Sequence, residues 1–379
     1  MFSYELLRVF WWVVIGLLLI GFAITNGFDM GVGILMRLFG RNDIERRIMI
    51  NTIAPHWDGN QVWLIATGGA LFAAWPIVYA TAFSSFYTAM ILILTSLFFR
   101  PVGFDYRSKI NNSYWRNLWD WGIFIGSIVS PVLIGVIFGN LLQGIPFYID
   151  EYCHIYYNGY FFQMLNPFSL LLGVVSLSMF VTQGASYLQI RTTGNLQMRM
   201  RIITQYTSLI TIVTFLLASI LVIYYIEGFT ITSVIDRNAC SNPLKKEVTY
   251  QIGAWLSNYQ SNKILWIVPA LGMILPLFTI TFSRSCRGVS AFVSSSLSLT
   301  FIILTAGITL FPFIIPSTTM PNGSLTIWDA TSSLQTLKIM AIITIIFMPI
   351  VLFYTIWCYY KMLGRITTQY IQKNTHSLY

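Results

Sequence analysis

Residues 10–24 read FWWVVIGLLLIGFAI, fifteen consecutive positions without a charged side chain. A helix needs about 20 predominantly apolar residues to cross the roughly 30 Å hydrocarbon core of a bilayer. Extended to 9–30, the segment meets that length, and Asp29 is its one charged residue. No small-x-small cleavage site is present and Arg8 is offset by Glu5, so we interpret the segment as a retained transmembrane helix rather than a signal peptide.

Similar apolar runs recur along the whole chain. Hydrophobic residues make up 56% of the 379 residues and charged residues 9%, which a soluble domain could not bury without large exposed apolar patches. Stretches of spanning length lie at 9–30, 56–75, 78–99, 118–142, 164–188, 204–226, 264–283, 289–312 and 336–361. We therefore predict an all-α integral membrane protein with about nine transmembrane helices. No Pro/Ser/Gly linker interrupts it, so residues 1–379 are predicted to form a single polytopic membrane domain.

The basic residues indicate how this domain is oriented. Lys and Arg number 22 against 13 Asp and Glu, for a net charge of +9. They form no patch interleaved with aromatic residues, so nucleic acid is not an expected partner. Sixteen of the 22 lie in alternate loops and six on the other side, and the positive-inside rule assigns the richer side to the cytoplasm. We expect the N-terminus outside and the C-terminus in the cytoplasm.

The four cysteines are divided by this topology. Cys153 and Cys240 are predicted to lie outside, and Cys286 and Cys358 at the inner side. No CxxC or Cys/His metal spacing exists, so no zinc or iron–sulfur site is expected. The sequence does not determine whether Cys153 and Cys240 are bridged, because it cannot show that they are close.

The longest outer loop, about 227–263, contains an apolar residue at every fourth position from Leu244 through Val248 and Ile252 to Leu256. That spacing predicts a short amphipathic helix over 244–259 that lies at the outer membrane interface.

The second predicted span contains the most informative polar residues. Its apolar part, 62–75, has 14 residues and covers about 21 Å at roughly 1.5 Å per residue, which is too short to cross alone. Completing the span requires residues 56–61, and this places Asp58 near hydrocarbon depth on the cytoplasmic side, beside His56 and Asn60. A carboxylate among such polar neighbours could pass protons along a hydrated path.

Charged residues of the first and third spans are predicted at the same depth. Asp29 lies near the inner end of the first span with Asn26 one turn earlier, and Arg100 ends the third. An ionisable group at this depth costs roughly 2.5 kcal/mol or more. One interpretation is a structural pair of Arg100 with a carboxylate, together with helix-dipole stabilisation of Asp58. The other is that Asp58, His56, Asn60 and Asp29 form a proton path.

Histidine content limits what the chain can bind. Only His56, His154 and His376 occur, and two of them are predicted in an outer loop and the C-terminal tail. A cytochrome with transverse bis-His haems needs several intramembrane histidines, so this chain alone cannot form one. His56 as a lone haem ligand is disfavoured. We expect no catalytic residue and no metal ligand in this chain.

Several motifs together resemble the subunit II family of cytochrome bd-type quinol oxidases, in its enterobacterial form. They are GFAITNGFDMGVG at 21–33, RNDIERR at 41–47, APHWDGNQVW at 54–63, FFRPVGFDYR at 98–107 and NTHSLY at 374–379. The match extends over essentially the whole chain. It departs from the family at Asn26, where the family often has Asp, and an amide at this position does not titrate.

The resemblance implies a function and partners. It implies a respiratory, oxygen-reducing quinol oxidase of the bacterial inner membrane, an enzyme in which this subunit alone is not catalytic. Subunit I would hold haems b and d and oxidise ubiquinol or menaquinol, and a small single-helix subunit would attach. The resemblance further implies a structural ubiquinone in this subunit, at a site that the sequence does not locate, and a cytoplasmic proton route that enters past Asp58. Arg100 and Asp105, both within 98–107, are candidates for an ion pair or for that route.

The resemblance also contributes to the expected architecture. We expect two four-helix bundles, at about 9–142 and 164–312, with a peripheral helix at about 336–361. The alternative function is a proton-coupled secondary transporter, whose substrate would bind near the midplane. The charged cluster at one membrane face argues against it. A third interpretation is a purely structural scaffold.

Overall fold

The computed structural model describes residues 3–373, so the 374–379 motif and His376 lie outside the described residues. Helices dominate the chain, and eight of them are long and apolar enough to cross a membrane. The prediction of an all-α integral membrane protein is confirmed. These eight helices are α1 (Tyr4–Phe39), α5 (Tyr87–Tyr106), α6 (Ser113–Gln143), α7 (Pro167–Arg191), α8 (Gly194–Tyr224), α10 (Ile267–Arg284), α11 (Gly288–Leu310) and α12 (Leu334–Lys361).

Shorter helices lie between and after them. They are α2 (Asp43–Ile53), α3 (Trp57–Ala74), α4 (Pro76–Ser85), α9 (Ser257–Ser261) and α13 (Thr368–Lys373). The second predicted span, 56–75, corresponds to α3, whose 18 residues begin with a polar turn. That polar turn lowers the mean hydropathy of α3, so α3 is not among the eight helices that are apolar enough to cross a membrane.

The third predicted span, 78–99, differs from what is observed. Residues 76–85 form the separate helix α4, and the membrane helix α5 begins at Tyr87. Pro76 occupies the first turn of α4, where a missing backbone N–H costs nothing. α5 also continues through Pro101 to Tyr106. Arg100 therefore lies within a helix rather than at its end.

Three two-stranded antiparallel sheets cover one end of the bundle. They are formed by β1 (Phe147–Ile149) with β2 (Ile155–Tyr157), β3 (Glu227–Ile231) with β4 (Val248–Ile252), and β5 (Phe313–Ile315) with β6 (Leu325–Thr326). The amphipathic helix predicted over 244–259 was wrong, because β4 occupies its centre. Residues four apart share a face in a strand as well as in a helix, so the spacing could not separate the two. Cys153 and Cys240 are unbridged and exposed.

The helices form two packed groups. In the first, α1 contacts α3 and α6, and α5 packs on α6; in the second, α7, α8, α10 and α11 pack together. α7 joins the groups by packing on α1 and α6. α12 is peripheral, because only 6% of its most apolar 18-residue stretch is buried. This arrangement agrees with two four-helix bundles plus one outer helix, whereas the division of the chain into a single domain stays a prediction.

Close backbone contact holds the two groups together. A Cβ added at Gly31 of α1 would lie 2.1 Å from the carbonyl oxygen of Phe180 and 2.8 Å from Cα of Gly184, both in α7. Only glycine permits this approach, which is typical of membrane helix crossings. Residues 26–36 of α1 are buried without interruption as a result.

Buried charges join the outer loops to the helices. Arg8 of α1 is fully buried and donates to the carbonyl oxygens of Arg237 (2.7 Å) and Ala239 (3.0 Å). Lys246 and Asp329 form a buried ion pair at 2.9 Å. Burial lowers the pKa of the Lys246 ammonium, and the neighbouring Asp329 carboxylate opposes that change.

Candidate functional site

Asp29 lies at the centre of the candidate site. Its side chain is fully buried within the C-terminal half of α1. One carboxylate oxygen, Oδ2, accepts a hydrogen bond from Nδ2 of Asn60 at 2.8 Å, while Oδ1 has no partner among the described residues. A buried carboxylate with one unsatisfied oxygen is costly unless an opposite charge or a proton compensates it.

Asn60 connects three helices. It lies in the first turn of α3 and is 2% exposed. Its amide nitrogen donates to Asp29 of α1, and its amide oxygen accepts from the hydroxyl of Tyr359 in α12. The side chain therefore links the C-terminal half of α1, the first turn of α3 and the C-terminal part of α12.

Tyr359 is a site residue that the sequence interpretation missed. It lies 299 residues after Asn60 in the chain, near the inner end of a helix that is otherwise mostly exposed. Its depth at the inner end of the last predicted span was the one available signal. Depth alone does not show which face of α12 contacts α3.

His56 is brought to the same cluster. It occupies the N-cap position of α3 without a side-chain capping hydrogen bond and is buried at 7% exposure. Its ring stacks on the Tyr359 ring, with centroids 4.4 Å apart and 21° between the planes. The structure thus brings together three of the four predicted path residues, Asp29, Asn60 and His56.

Arg100 lies beside this cluster but bonds a different group than expected. Its guanidinium is fully buried, and Nη1 donates to Oδ1 of Asn26 at 3.0 Å. Among residues 3–373, no carboxylate lies within ion-pair distance of it, and Nε and Nη2 lack hydrogen-bond partners. Arg100 is nevertheless the charge that acts on Asp29. The two buried groups therefore interact electrostatically without forming an ion pair.

Asp58 is separated from the buried cluster and is exposed. It stands at the inner end of a stripe on α3 that continues through Val62, Ile65 and Phe72, which are 55%, 72% and 59% exposed. Spacings of four, three and seven residues, about one, one and two helical turns, put these side chains on one helix face. An exposed apolar face that begins with a carboxylate is suited to contact either lipid or another subunit.

Asp105 is exposed and takes no part in an ion pair of the described residues. The charged network of this region forms instead around the fully buried Asp120 of α6. Its carboxylate pairs with Arg46 at 2.7 Å and Arg107 at 2.6 Å, and Arg107 also pairs with Asp43 at 2.8 Å. Sequence analysis did not single out Asp120, although a lone acid at the start of a span was a usable signal.

The site combines a buried acid with an exposed acid, and its residues are not grouped as a set of metal ligands. Within residues 3–373 there is no group of three or more His, Cys, Asp or Glu that could hold a metal ion. Asp29 is a buried acid with a hydrogen-bonded neighbour, and Asp58 is an acid at the surface of the same helix cluster. Acidic side chains buried among membrane helices are typically functional, and proton transfer is one such function.

Comparison with known proteins places these residues in context. The family model of cytochrome bd terminal oxidase subunit II matches residues 7–362. The chain is 63% identical to subunit 2 of cytochrome bd-I ubiquinol oxidase from Escherichia coli (strain K12) and 52% identical to a probable cytochrome oxidase subunit 2 from Haemophilus influenzae, over the full length of each. Its fold is similar to that of bd oxidase from Geobacillus thermodenitrificans, with a TM-score of 0.67 and 15% identity, covering 95% of this chain and 99% of that chain.

Proposed function

Because the chain belongs to the cytochrome bd terminal oxidase subunit II family, we propose that it supports a haem-bearing partner and contributes a cytoplasmic proton path to oxygen reduction. The chain is a subunit of a membrane-bound oxidoreductase, and the comparisons lend no support to a transporter. The proposal of a proton path rests on one observation. Asp29 is fully buried and is hydrogen-bonded to Asn60, whose helix carries the exposed Asp58 in its first turn.

Each residue of the path has a distinct role. Asp58 exchanges protons with water at the membrane face, and Asp29 holds a proton deeper in the helix cluster. Asn60 and Tyr359 orient the Asp29 carboxyl through hydrogen bonds, and His56 supports the Tyr359 ring by stacking. Arg100 stabilises the charged form of Asp29 after the proton has left. Asp105 is exposed at the same membrane face and is a secondary acceptor.

The exposed face of α3 is the proposed contact with the partner. Val62, Ile65 and Phe72 leave an apolar stripe uncovered, and Asp58 lies on the same stripe. Docking of subunit I against it would bring Asp58 to the edge of the subunit interface and shield it from lipid. Protons taken up by this chain would then pass to the partner, where we propose that haems b and d are held.

Finer features follow from family membership. The chain would lie in a bacterial inner membrane, with the N-terminus periplasmic and the C-terminus cytoplasmic. Ubiquinol or menaquinol would donate electrons to the complex, oxygen would accept them, and a small single-helix subunit would attach. A structural ubiquinone within this subunit is consistent with its large apolar surface.

The test uses the complex purified with its partner. The isolated chain is expected to show no stoichiometric haem absorbance, whereas the complex shows it. Asp58→Asn and Asp29→Asn should each leave the haem spectrum intact and lower quinol-dependent oxygen consumption by roughly tenfold or more, because a lost proton-transfer group typically costs 10²–10⁴-fold at the step that it serves.

Asp236→Asn is the matched control, since Asp236 is an exposed carboxylate in an outer loop and its loss should leave turnover unchanged. Unchanged oxygen consumption and proton uptake in both Asp58→Asn and Asp29→Asn would show that these carboxylates are structural. A full haem spectrum in the isolated chain would contradict the assignment of haem to the partner.

A further inference from the structure

A cavity of about 590 Å³ opens at the membrane face that carries most of the basic residues. It lies where three segments meet: the end of α7 with the start of α8, the α10–α11 turn with the start of α11, and the chain that follows α12. It is separate from the Asp29 cluster and shares no residue with it. Its volume is within the range of ligand pockets, roughly 300–1,000 Å³.

Positive charge lines this cavity without compensation. Arg201, Arg287 and Arg365 each come from a different one of the three segments. None of them takes part in an ion pair of the described residues. The segments 189–205, 283–290 and 361–366 contain no Asp or Glu at all. Three guanidinium groups around one cavity repel each other unless an anion lies between them.

The backbone adds donors on the same side. The cavity is lined by Gly288 and Ser290, in the first turn of α11, a helix of 23 residues. Its N-cap residue, Arg287, makes no side-chain capping hydrogen bond. The first N–H groups of a helix point outward and carry partial positive charge. With the arginines, they are suited to phosphate oxygens.

The location favours one chemistry. Basic pockets between transmembrane helices on the cytoplasmic side bind the headgroups of anionic lipids. Val289, which also lines the cavity, is 63% exposed and offers apolar surface at its rim. A soluble phosphate would need the cationic groups only, whereas a lipid can use both.

We propose that this cavity binds a phosphate-bearing anion, and that an anionic membrane phospholipid supplies it. Arg287 and Arg365 contact the phosphate from two sides, and Arg201 supports it while its Nη1 stays bonded to Sγ of Cys286 at 2.9 Å. The acyl chains leave toward the exposed surface at Val289. The bound lipid neutralises the cavity and joins the α10–α11 turn to the chain that follows α12.

The test measures lipid binding to the purified, delipidated complex of this chain with its partner subunit. Native mass spectrometry follows titration with tetraoleoyl cardiolipin, with dioleoyl phosphatidylcholine and with inorganic phosphate. We expect the anionic lipid to bind more tightly than the zwitterionic lipid. The Arg287→Gln/Arg365→Gln variant should bind cardiolipin about 30-fold more weakly, from the usual contribution of two basic residues near a charged headgroup.

Two further variants make the result specific. Arg41→Gln/Lys109→Gln removes two exposed basic residues elsewhere on the same face and should keep wild-type affinity. The Arg287→Lys/Arg365→Lys variant keeps both positive charges and should retain most of the cardiolipin affinity. Because Arg287 and Arg365 are exposed, the glutamine variant should fold, and an unchanged haem spectrum checks this.

The outcomes separate the two sources of phosphate. Cardiolipin binding that millimolar phosphate does not displace supports a lipid. If inorganic phosphate binds to the wild-type complex and displaces cardiolipin, but does neither in the glutamine variant, the cavity is a phosphate site. Its ligand is then a soluble anion and not a lipid. Equal cardiolipin affinity in the glutamine variant and the wild type, or an equal loss in the Arg41→Gln/Lys109→Gln control, would overturn the proposal.

Discussion

For Arg100, the sequence predicted the position along the membrane helices but not the group that the side chain contacts. The sequence predicted it beside a carboxylate, and its side chain reaches the Asn26 amide instead, at 3.0 Å. Asn26 carries a neutral amide, so this contact is a hydrogen bond and not an ion pair. Asp29 is therefore the acidic group with which the positive charge of Arg100 interacts.

Replacing Arg100 tests whether it acts on assembly. Arg100→Ala would leave Asn26 Oδ1 without its donor and Asp29 without a nearby positive charge, which costs about 3–5 kcal/mol for a buried partner. We expect less assembled complex, measured as haem per milligram of membrane protein, and partial recovery in Arg100→Lys. Arg41→Ala, at an exposed position, should have no effect. Normal assembly with low oxygen consumption would place Arg100 in the proton path instead.

At the scale of elements, the crossing of α1 and α7 controls where Asp29 lies. Gly31 follows Asp29 by two residues, and an added Cβ there would lie 2.1 Å from the Phe180 carbonyl oxygen. Interiors packed this tightly respond to one additional carbon. Hydropathy located α1 and α7 approximately, but this contact decides how deep α1 is buried.

Gly31→Ala should destabilise the complex by about 1–3 kcal/mol through overpacking and lower its midpoint of thermal unfolding. The same change at Gly16, where nothing lies within 4 Å of the added Cβ, is the matched control in the same helix. It should leave the midpoint unchanged or slightly higher, because alanine favours helix over glycine. If both variants unfold at the wild-type temperature, the two helices can separate without cost.

At the scale of the whole molecule, orientation decides which side can supply protons. Sixteen basic residues in alternate loops against six elsewhere predict that the Asp58 end faces the cytoplasm. The structure adds that Asp29, Asn60 and His56 gather near that same end. A reversed protein would draw protons from the periplasm and could not contribute to charge separation as proposed.

Reporter fusions test this orientation. A cytoplasm-active reporter after Tyr379 should be active. A periplasm-active reporter inserted after Val234, which is fully exposed in the outer loop between β3 and β4, should be active too. The same reporters exchanged between the two sites should be silent. Activity of the exchanged pair would reverse the topology and remove the cytoplasmic source of protons.

The sequence by itself determined the class of the protein, the approximate location of most of its membrane helices and its family. Hydrophobicity is a local property, so runs of about 20 apolar residues mark helices without knowledge of their neighbours. Motifs such as 21–33 and 54–63 identified the family on the same local basis. The positions of Asp29, Asp58 and Arg100 in the predicted spans also indicated that the three residues lie at a similar depth in the membrane.

Tertiary structure alone decided which of these groups touch. The bond from Tyr359 to Asn60 joins residues 299 positions apart, and hydropathy does not report the rotation of one helix against another. For the same reason the sequence could not show that Asp58 is exposed while Asn60, two residues later, is buried. Nor could it show that β4 would form at 248–252, because only pairing with β3 distinguishes a strand from a helix at four-residue spacing.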